Sequence, residues 1–410
     1  MIMHPIIAAL KHHKTTVFLV ALEIALTCAI VTNALFLIGD RLAAMHMMTG
    51  VADNELVWAQ ASGLDLGRDS AANGSAAAKA AADLAALRGI PGVESGVMSN
   101  SLPLAGSGWR MDVWTRPGDK HSALDNVFEF VGTPGMVKTL GIKLSEGRDF
   151  LPQEYEDYNP FSGQPPPGSV IVTRALAAQL WPGEDPLGKP IYLDSSGNHV
   201  AHVVGVAQHL LDPRVSTAHG VERGLILPVE TVDGGLYVLR VRPDARASVK
   251  RAIPRVLTGV DPARTITAHI YSRTIAQYFH GDRAMIWLLL VVIGCLLAVT
   301  ALGVVGLSSF WVQQRTRQIG IRRALGATRT DIMRYFLAEN FLIVSLGVVA
   351  GLAGAVGLNL WLMDHYELHR MPLAWLPAGA VILWLLGQLA VLAPALRASH
   401  VPPVVATRSV

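Results

Sequence analysis

The sequence predicts a membrane protein: four transmembrane α-helices, with a large α+β extracytoplasmic domain of two subdomains inserted between helices 1 and 2. Three observations carry this. Four apolar runs are long enough to span a bilayer, arginines crowd into one short loop, and the stretch 40–283 has the mixed composition of a folded domain.

The chain has 410 residues, 51% hydrophobic and 16% charged, with a mean hydropathy of +0.38. Soluble domains carry about a quarter charged residues, and here the deficit is gathered into the runs. The net charge of +3 is small for this length, so nothing in it asks for nucleic acid. Both cysteines, Cys28 and Cys295, fall inside apolar runs and cannot staple the inserted domain, which must rest on its own core.

Residues 1–14 carry Lys11 and Lys14, and the first run, 15–39, is interrupted by one charge, Glu23. About 20 apolar residues suffice to cross a hydrocarbon core about 30 Å thick. The run is too long for the apolar part of a signal peptide. Asp40 and Arg41 follow it rather than a small-residue cleavage site, so it is expected to remain as an anchor.

Within 40–283, Asn54–Gln60 reads as a strand and Lys79–Arg88 as an Ala-rich helix stopped by Gly89 and Pro91. Val93–Asn100 and Trp109–Trp114 are further strands. A second unit is expected over about 131–224, with a helix at Thr173–Leu180 and strands at Ile191–Leu193 and His202–Val206. Asn159–Gly168 is a Pro/Gly loop. Strand, helix and strand then return at Gly235–Val241, Ala245–Leu257 (with Pro254 expected to kink or end the helix) and Thr265–His269. An interrupted pattern of this kind is what an inserted subdomain leaves.

The remaining runs, 284–310, 340–363 and 371–396, hold no charged residue. The loop 311–339 carries Arg315, Arg317, Arg322, Arg323, Arg329 and Arg334 against Asp331 and Glu339. The tail 397–410 adds Arg397 and Arg408, while 364–370 is nearly neutral. Lys and Arg in short loops stay inside. Both termini and the arginine loop are therefore predicted to be cytoplasmic, and 40–283 to lie outside. The second run, at 1.5 Å per residue, is about 40 Å long, so it must tilt or project outward as a stalk.

The informative stretch is Val312–Asn340, VQQRTRQIGIRRALGATRTDIMRYFLAEN. Apolar positions Ile319, Ala324, Leu325, Ile332 and Phe336 recur between arginines, and Gly320 and Gly326 interrupt them. That is a short basic amphipathic helix, a turn, and entry into the third span. On its residues alone it fits a positive-inside loop held to anionic headgroups. The run Arg315–Ala327, RTRQIGIRRALGA, resembles the signature of the MacB/FtsX family of ABC-transporter permeases, which is close to RTREIGIRKALGA. VGTPGMVKTLGIKLSEGRDF (131–150), VIVTRALAAQLWPGEDPLGKPIYL (170–193), HVVGVAQH (202–209) and the tail PALRASHVPPVVATRS (394–409) resemble its other landmarks in order.

The resemblance implies an inner-membrane permease that pairs with a second, identical or homologous, permease. A cytoplasmic ATPase would dock on Arg315, Arg317, Gln318, Ile319, Gly320, Ile321, Arg322, Arg323, Ala324, Leu325, Gly326 and Ala327. The family usually has an acid where this chain has Gln318, a departure that bears on how the ATPase engages. No G-x-x-x-x-G-K-[ST] phosphate loop is present, so ATP and Mg are expected on a separate partner, with no cofactor and no catalysis on this chain. The implied task is export with a periplasmic adaptor and an outer-membrane duct. A lipoprotein-releasing permease is the alternative, and a membrane-anchored sensor that signals without transport is a third. An FtsX of cell division would have a much smaller outer domain.

Glu23 could couple protons or serve only structure, since it stands about two turns from the end of its run and could reach a loop arginine. Gly347, Gly351, Gly354 and Gly357 let a helix approach its neighbour closely, within the chain or at a subunit interface. The histidines, among them His12, His13, His202 and His209, show no metal spacing.

Overall fold

The computed structural model describes residues 14–62, 70–119, 122–160, 164–215, 222–232, 234–366 and 371–400. Lys11, His12, His13, Arg408 and most of the loop 364–370 lie outside these. Two compact units result, Met1–Leu42 with Asp282–Val410, and Ala43–Gly281. Helix α1 (Lys14–Met45) leads from the first into the second, running helically through Asp40 and Arg41 beyond the predicted end at 39.

The α+β unit follows in the order β1 (Leu56–Ser62), α2 (Ser70–Arg88), β2 (Val93–Ser99), β3 (Trp109–Trp114), β4 (Ala123–Gly132), α3 (Met136–Leu140) and β5 (Leu144–Gly147). Next come β6 (Ser169–Thr173), α4 (Arg174–Leu180), β7 (Pro190–Tyr192), β8 (Val200–Ala207) and β9 (Gly224–Pro228). The unit ends with β10 (Leu236–Val241), α5 (Arg246–Val260), β11 (Thr265–Ile270) and α6 (Tyr271–Tyr278). Its strands form two groups. β11, β1, β10 and β2 make an antiparallel sheet, tied onward by one residue pair, Ser99 with Gly132. β4, β3, β7, β8, β6 and β9 then close on themselves, because β9 runs parallel to β4 from Phe128–Gly224 to Gly132–Pro228.

The inserted unit expected at 131–224 therefore has different edges. Position 131 lies inside β4, and the closed group runs from Trp109 to Pro228. The sequence places the strand Trp109–Trp114 ahead of the inserted unit and does not mark β4, whose second partner, β9, is non-local. Among the ring strands, β6, β9 and the second half of β4, which form its parallel ladders, are buried on both faces, as parallel pairing favours, while β3 and β7 are partly exposed. Val127, Val131, Val170, Val172, Leu225 and Leu227 fill one core, while Phe128, Phe130, Ile171 and Ile226 fill the other. Both cores also take residues of the four-stranded group, Val57 and Leu239 in the first and Leu56 and Val238 in the second, so the groups differ in pairing without having separate interiors.

Two local expectations shift. Helix α2 begins at Ser70, well ahead of the expected start at Lys79. Helix α5 passes through Pro254 to Val260, because Val249, Ile253 and Leu257, four residues apart, hold both halves of it in the core. A buried ion pair joins α2 to the segment between α5 and β11. Arg264 Nη1 and Nη2 donate to Asp83 Oδ2 and Oδ1 at 2.5 and 2.9 Å, and the Tyr237 hydroxyl donates to Oδ2 at 2.6 Å.

In the other unit come α7 (His280–Gln314), α8 (Thr316–Ala324), α9 (Arg329–Tyr366) and α10 (Leu376–Ser399). Among the described residues, four segments are long and apolar enough to cross a membrane, around α1, α7, α9 and α10. Helix α9 begins at Arg329, well ahead of its apolar run at 340, so the second half of the predicted loop 311–339 is part of the third span's helix. The fourth begins later than 371. Pro372 is extended, a 3-10 turn occupies Leu373–Trp375, and Pro377 stands in the first turn of α10.

Polar side chains tie these helices together where water is scarce. Thr27 and Thr300 share a hydrogen bond of 2.9 Å, Asn33 Nδ2 donates to the Ala355 carbonyl at 3.0 Å, and Asn340 Nδ2 to that of Gly387 at 2.8 Å. Such contacts contribute about 0.6 kcal/mol each on average in membranes.

Candidate functional site

Helix α8 is set off by a single non-helical residue before it, Arg315 (φ −101°, ψ 7°), and by a turn after it. In that turn Gly326 has φ +101°, where any side chain would be strained. The next helix is capped reciprocally. Thr328 Oγ1 accepts from the Asp331 amide at 3.2 Å, and Asp331 Oδ2 accepts from the Thr328 amide at 3.0 Å.

The two faces of α8 differ. Ile319 and Gly320 are buried, and Ile319 joins Ile332, Phe336, Ala395 and Ala398 in a small core. Arg323 Nη1 donates to the Ser399 carbonyl at 3.1 Å, and the Arg322 guanidinium lies 4.9 Å over the Tyr335 ring. On the other face Arg317, Gln318, Ile321, Arg322, Ala324 and Leu325 are exposed, Ile321 by 46% and Leu325 by 83%. Apolar side chains that exposed, flanked by arginines on a helix glued down by its opposite face, form a surface able to dock a partner.

Of the twelve residues predicted for this surface, Ile319 and Gly320 face inward, and Ala327 is half-buried. Arg315 also turns inward. Its Nη1 donates to Glu339 Oε1 and Oε2 at 3.0 and 2.9 Å, and its guanidinium lies 5.6 Å from the Trp311 ring centroid. In the sequence Glu339 is only one of two acids in the loop, and its place beside an arginine far away along the chain has no local signal.

The packing glycines divide. A Cβ on Gly347 would come within 2.7 Å of Ile24, and one on Gly351 within 2.5 Å of Cys28 Cβ and 2.7 Å of the Ala25 carbonyl, so both seat α1 against α9. Gly354 has ordinary contact with Ala29, whereas Gly357 meets nothing within 4 Å. Glu23 pairs with no arginine among the described residues. Its carboxylate lies against Gly303 of α7, where a Cβ would stand 2.7 Å from Oε2. Among the described residues no three His, Cys, Asp or Glu gather as a metal would need.

The α+β unit holds groups that no motif marked. Burial pushes the Glu129 carboxyl up to about 7 against a partial offset from a hydrogen bond with Tyr158. Burial pushes Asp212 up to about 8, with Arg110 drawing it down. A cavity of ≈ 290 Å³ is lined by Met48, Thr49, Asp53, Lys143, Gln208 and His209, among others.

Residues 18–256 match the profile of the MacB-like periplasmic core domain, and 290–403 match that of the FtsX-like permease C-terminal region. The chain is 28% identical over 229 residues to the macrolide export ATP-binding/permease protein MacB of Agrobacterium fabrum, covering 53% of this chain and 33% of that one. With MacB of Marinobacter nauticus it shares 27% identity over 266 residues, 58% of this chain and 38% of the other. With the pyoverdine export ATP-binding/permease protein PvdT of Pseudomonas syringae pv. syringae it shares 37% over 117 residues, 28% and 17% of the two chains. This chain thus matches 33% and 38% of the length of the two MacB relatives. The solved periplasmic region of MacB from Actinobacillus actinomycetemcomitans is similar at a TM-score of 0.36 and 15% identity, covering 56% of this chain and 93% of that one. With more than half its residues under the first profile and its last spans under the second, the chain belongs to the family of ABC-transporter permeases that join a MacB-like periplasmic core domain to an FtsX-like permease region.

Proposed function

We propose that this chain is the permease subunit of a MacB-type exporter in a bacterial inner membrane, with both termini in the cytoplasm and the α+β unit in the periplasm. A separate cytoplasmic ATPase, which binds ATP and Mg, docks on the exposed face of α8. A second permease completes the pair, and a periplasmic adaptor and outer-membrane duct carry the substrate onward. The observation that carries this reading is the pairing of exposed Ile321 and Leu325 with Arg317 and Arg322, on a helix whose other face is fixed to the bundle. α7 has 35 residues, about 52 Å at 1.5 Å per residue, which exceeds the ~30 Å hydrocarbon core. It is followed directly in the chain by α8 and preceded directly by α6, so it is the covalent path for motion between the docking helix and the periplasmic domain.

The test is purification of the tagged protein from its host with identification of what accompanies it. An ATPase with an adaptor supports the exporter, and a second permease makes the complex heteromeric. Ile321→Asp with Leu325→Asp should abolish ATPase recovery while leaving the chain folded. Recovery of the intact complex with no ATPase would sink the reading. An ATPase with lipoproteins and no adaptor would replace export by lipoprotein release.

A further inference from the structure

We propose that Arg315 and Glu339 are a clamp that makes α8 and the helix of the third span one rigid lever, so that a push on α8 reaches the bundle instead of being absorbed at the joint. Arg315 is the single residue between the end of α7 and the start of α8, and its non-helical backbone makes that point a joint. With nine residues α8 cannot hold itself; isolated helices shorter than about 12–15 residues are marginal in water. Its position therefore depends on contacts with other helices.

Besides the single hydrogen bond of Arg323 to the Ser399 carbonyl and the stacking of Arg322 on Tyr335, those contacts are of two kinds. The core around Ile319 is apolar and non-directional, so it permits rolling and sliding. The ion pair does not. One guanidinium nitrogen holds both oxygens of Glu339, whose side chain is 1% exposed, and the arginine is 15% exposed beneath Trp311. A buried carboxylate without its cation is strongly unfavourable, so the pair is either made or the site rearranges, with no compliant state between. Glu339 lies ten residues into α9, about 15 Å along it at 1.5 Å per residue. The joint is thus tied to the body of the third span rather than its tip. Arg315 is set apart by this from Arg317 and Arg322, which stay exposed on the docking face. Its role is positioning.

The consequence for transport rests on the docking role given to α8 above, but the clamp itself is testable without any ATPase. The full chain, with Cys28→Ala and Cys295→Ser, is placed in lipid nanodiscs. Spin labels at Leu325→Cys and Leu346→Cys, both exposed, report the distance from α8 to α9. The parent should give one narrow distribution, and Glu339→Gln should widen it at least about twofold. Arg315→Glu with Glu339→Arg should narrow it again, a rescue that simple loss of packing does not predict. An unchanged width in Glu339→Gln overturns the clamp. Where that variant fails to fold, Arg315→Gln with Glu339→Gln, which removes the pair and leaves no buried charge unpaired, takes its place under the same criterion. In the host, Glu339→Gln should recover as much ATPase as the parent, within about twofold, and lower export at least about tenfold. Loss of the ATPase along with export would make the pair part of docking and refute the lever. If the parent recovers no ATPase, the docking reading falls and the spin labels alone decide the clamp.

Discussion

Removing the carboxylate of Asp83 should destabilise the α+β unit more than any single change to its surface charges. Asp83 is 0% exposed and the Arg264 side chain 1%, with three hydrogen bonds converging on one carboxylate from Arg264 and Tyr237. In Asp83→Ala the buried guanidinium keeps only the partly exposed Asp261 carboxylate, 3.6 Å away, to offset its charge; breaking a buried pair in this way costs about 3–5 kcal/mol. For a unit of this size, each kcal/mol moves the midpoint by about 2–4 °C, so the unit should melt roughly 6–20 °C lower. The assay is thermal unfolding of the detergent-purified chain, followed by the near-ultraviolet signal of the tryptophans in this unit. A control comes from the exposed pair Lys189–Glu184, where Glu184→Gln should move the midpoint by no more than about 2 °C, since surface pairs contribute little to stability. The argument also predicts the double change. Asp83→Leu with Arg264→Met removes both charges and should recover most of the loss, because apolar replacements of a buried pair are often neutral or better. A shift under about 2 °C for Asp83→Ala would refute the reasoning. So would a double variant less stable than the single one.

Acid should stabilise the same unit. Glu129 and Asp212 are raised from ordinary values of 4.5 and 3.8 to about 7 and about 8. The folded state therefore holds protons that the unfolded chain has released. Their stabilisation is complete below about pH 4 and is lost as pH rises to about 7 for Glu129 and about 8 for Asp212, at up to about 1.4 kcal/mol for each tenfold difference in proton affinity between the folded and unfolded chain. Urea unfolding between pH 5 and pH 8 should show this fall, and Glu129→Gln should flatten its part of it; a slope of the opposite sign would contradict the burial argument. In the bundle, Gly351→Val drives a side chain into the Ala25 carbonyl and Cys28 and should lower the detergent melting point clearly. Gly357→Ala, which meets nothing within 4 Å, should leave it within about 1 °C, and equal effects would show that the small-residue stripe, not the contact with α1, is what matters.

The features legible in the sequence were those written in local pattern. Apolar run length marked four spans because the alternative, an uncharged stretch in water, is unfavourable along its whole length. Helix ends were less legible, since a helix continues past the apolar run wherever nothing stops it; Asp40 and Arg41 are polar but helix-compatible, and so is Arg329–Glu339. Most strands showed through their alternation, yet the edge of the closed group at Trp109 did not, because the β4–β9 pairing joins residues about a hundred positions apart. The proposed docking surface was half legible. The motif marked the helix, but which face meets the bundle depends on Ile332, Phe336, Ala395 and Ala398, which come from two other helices.

That face decides how the arginines of the motif divide their work. Arg317 and Arg322 remain on the solvent side with Ile321 and Leu325, and Arg323 satisfies a carbonyl at the end of α10. Arg315 neutralises Glu339. At its other end α7 is held by a second ion pair, Asp282 with Arg41 of α1 at 2.6 Å, with side chains 20% and 29% exposed. α7 is therefore fastened near both termini to different helices, and between them to α1 through Thr27 and Thr300. A helix restrained at both ends and in the middle transmits displacement along its axis better than it bends. The two end fastenings are not equal, however. The pair near Arg41 is partly solvated and screened by salt, whereas the pair at Glu339 is not. Any yielding of α7 under load should begin at the Asp282 end and leave its junction with α8 intact.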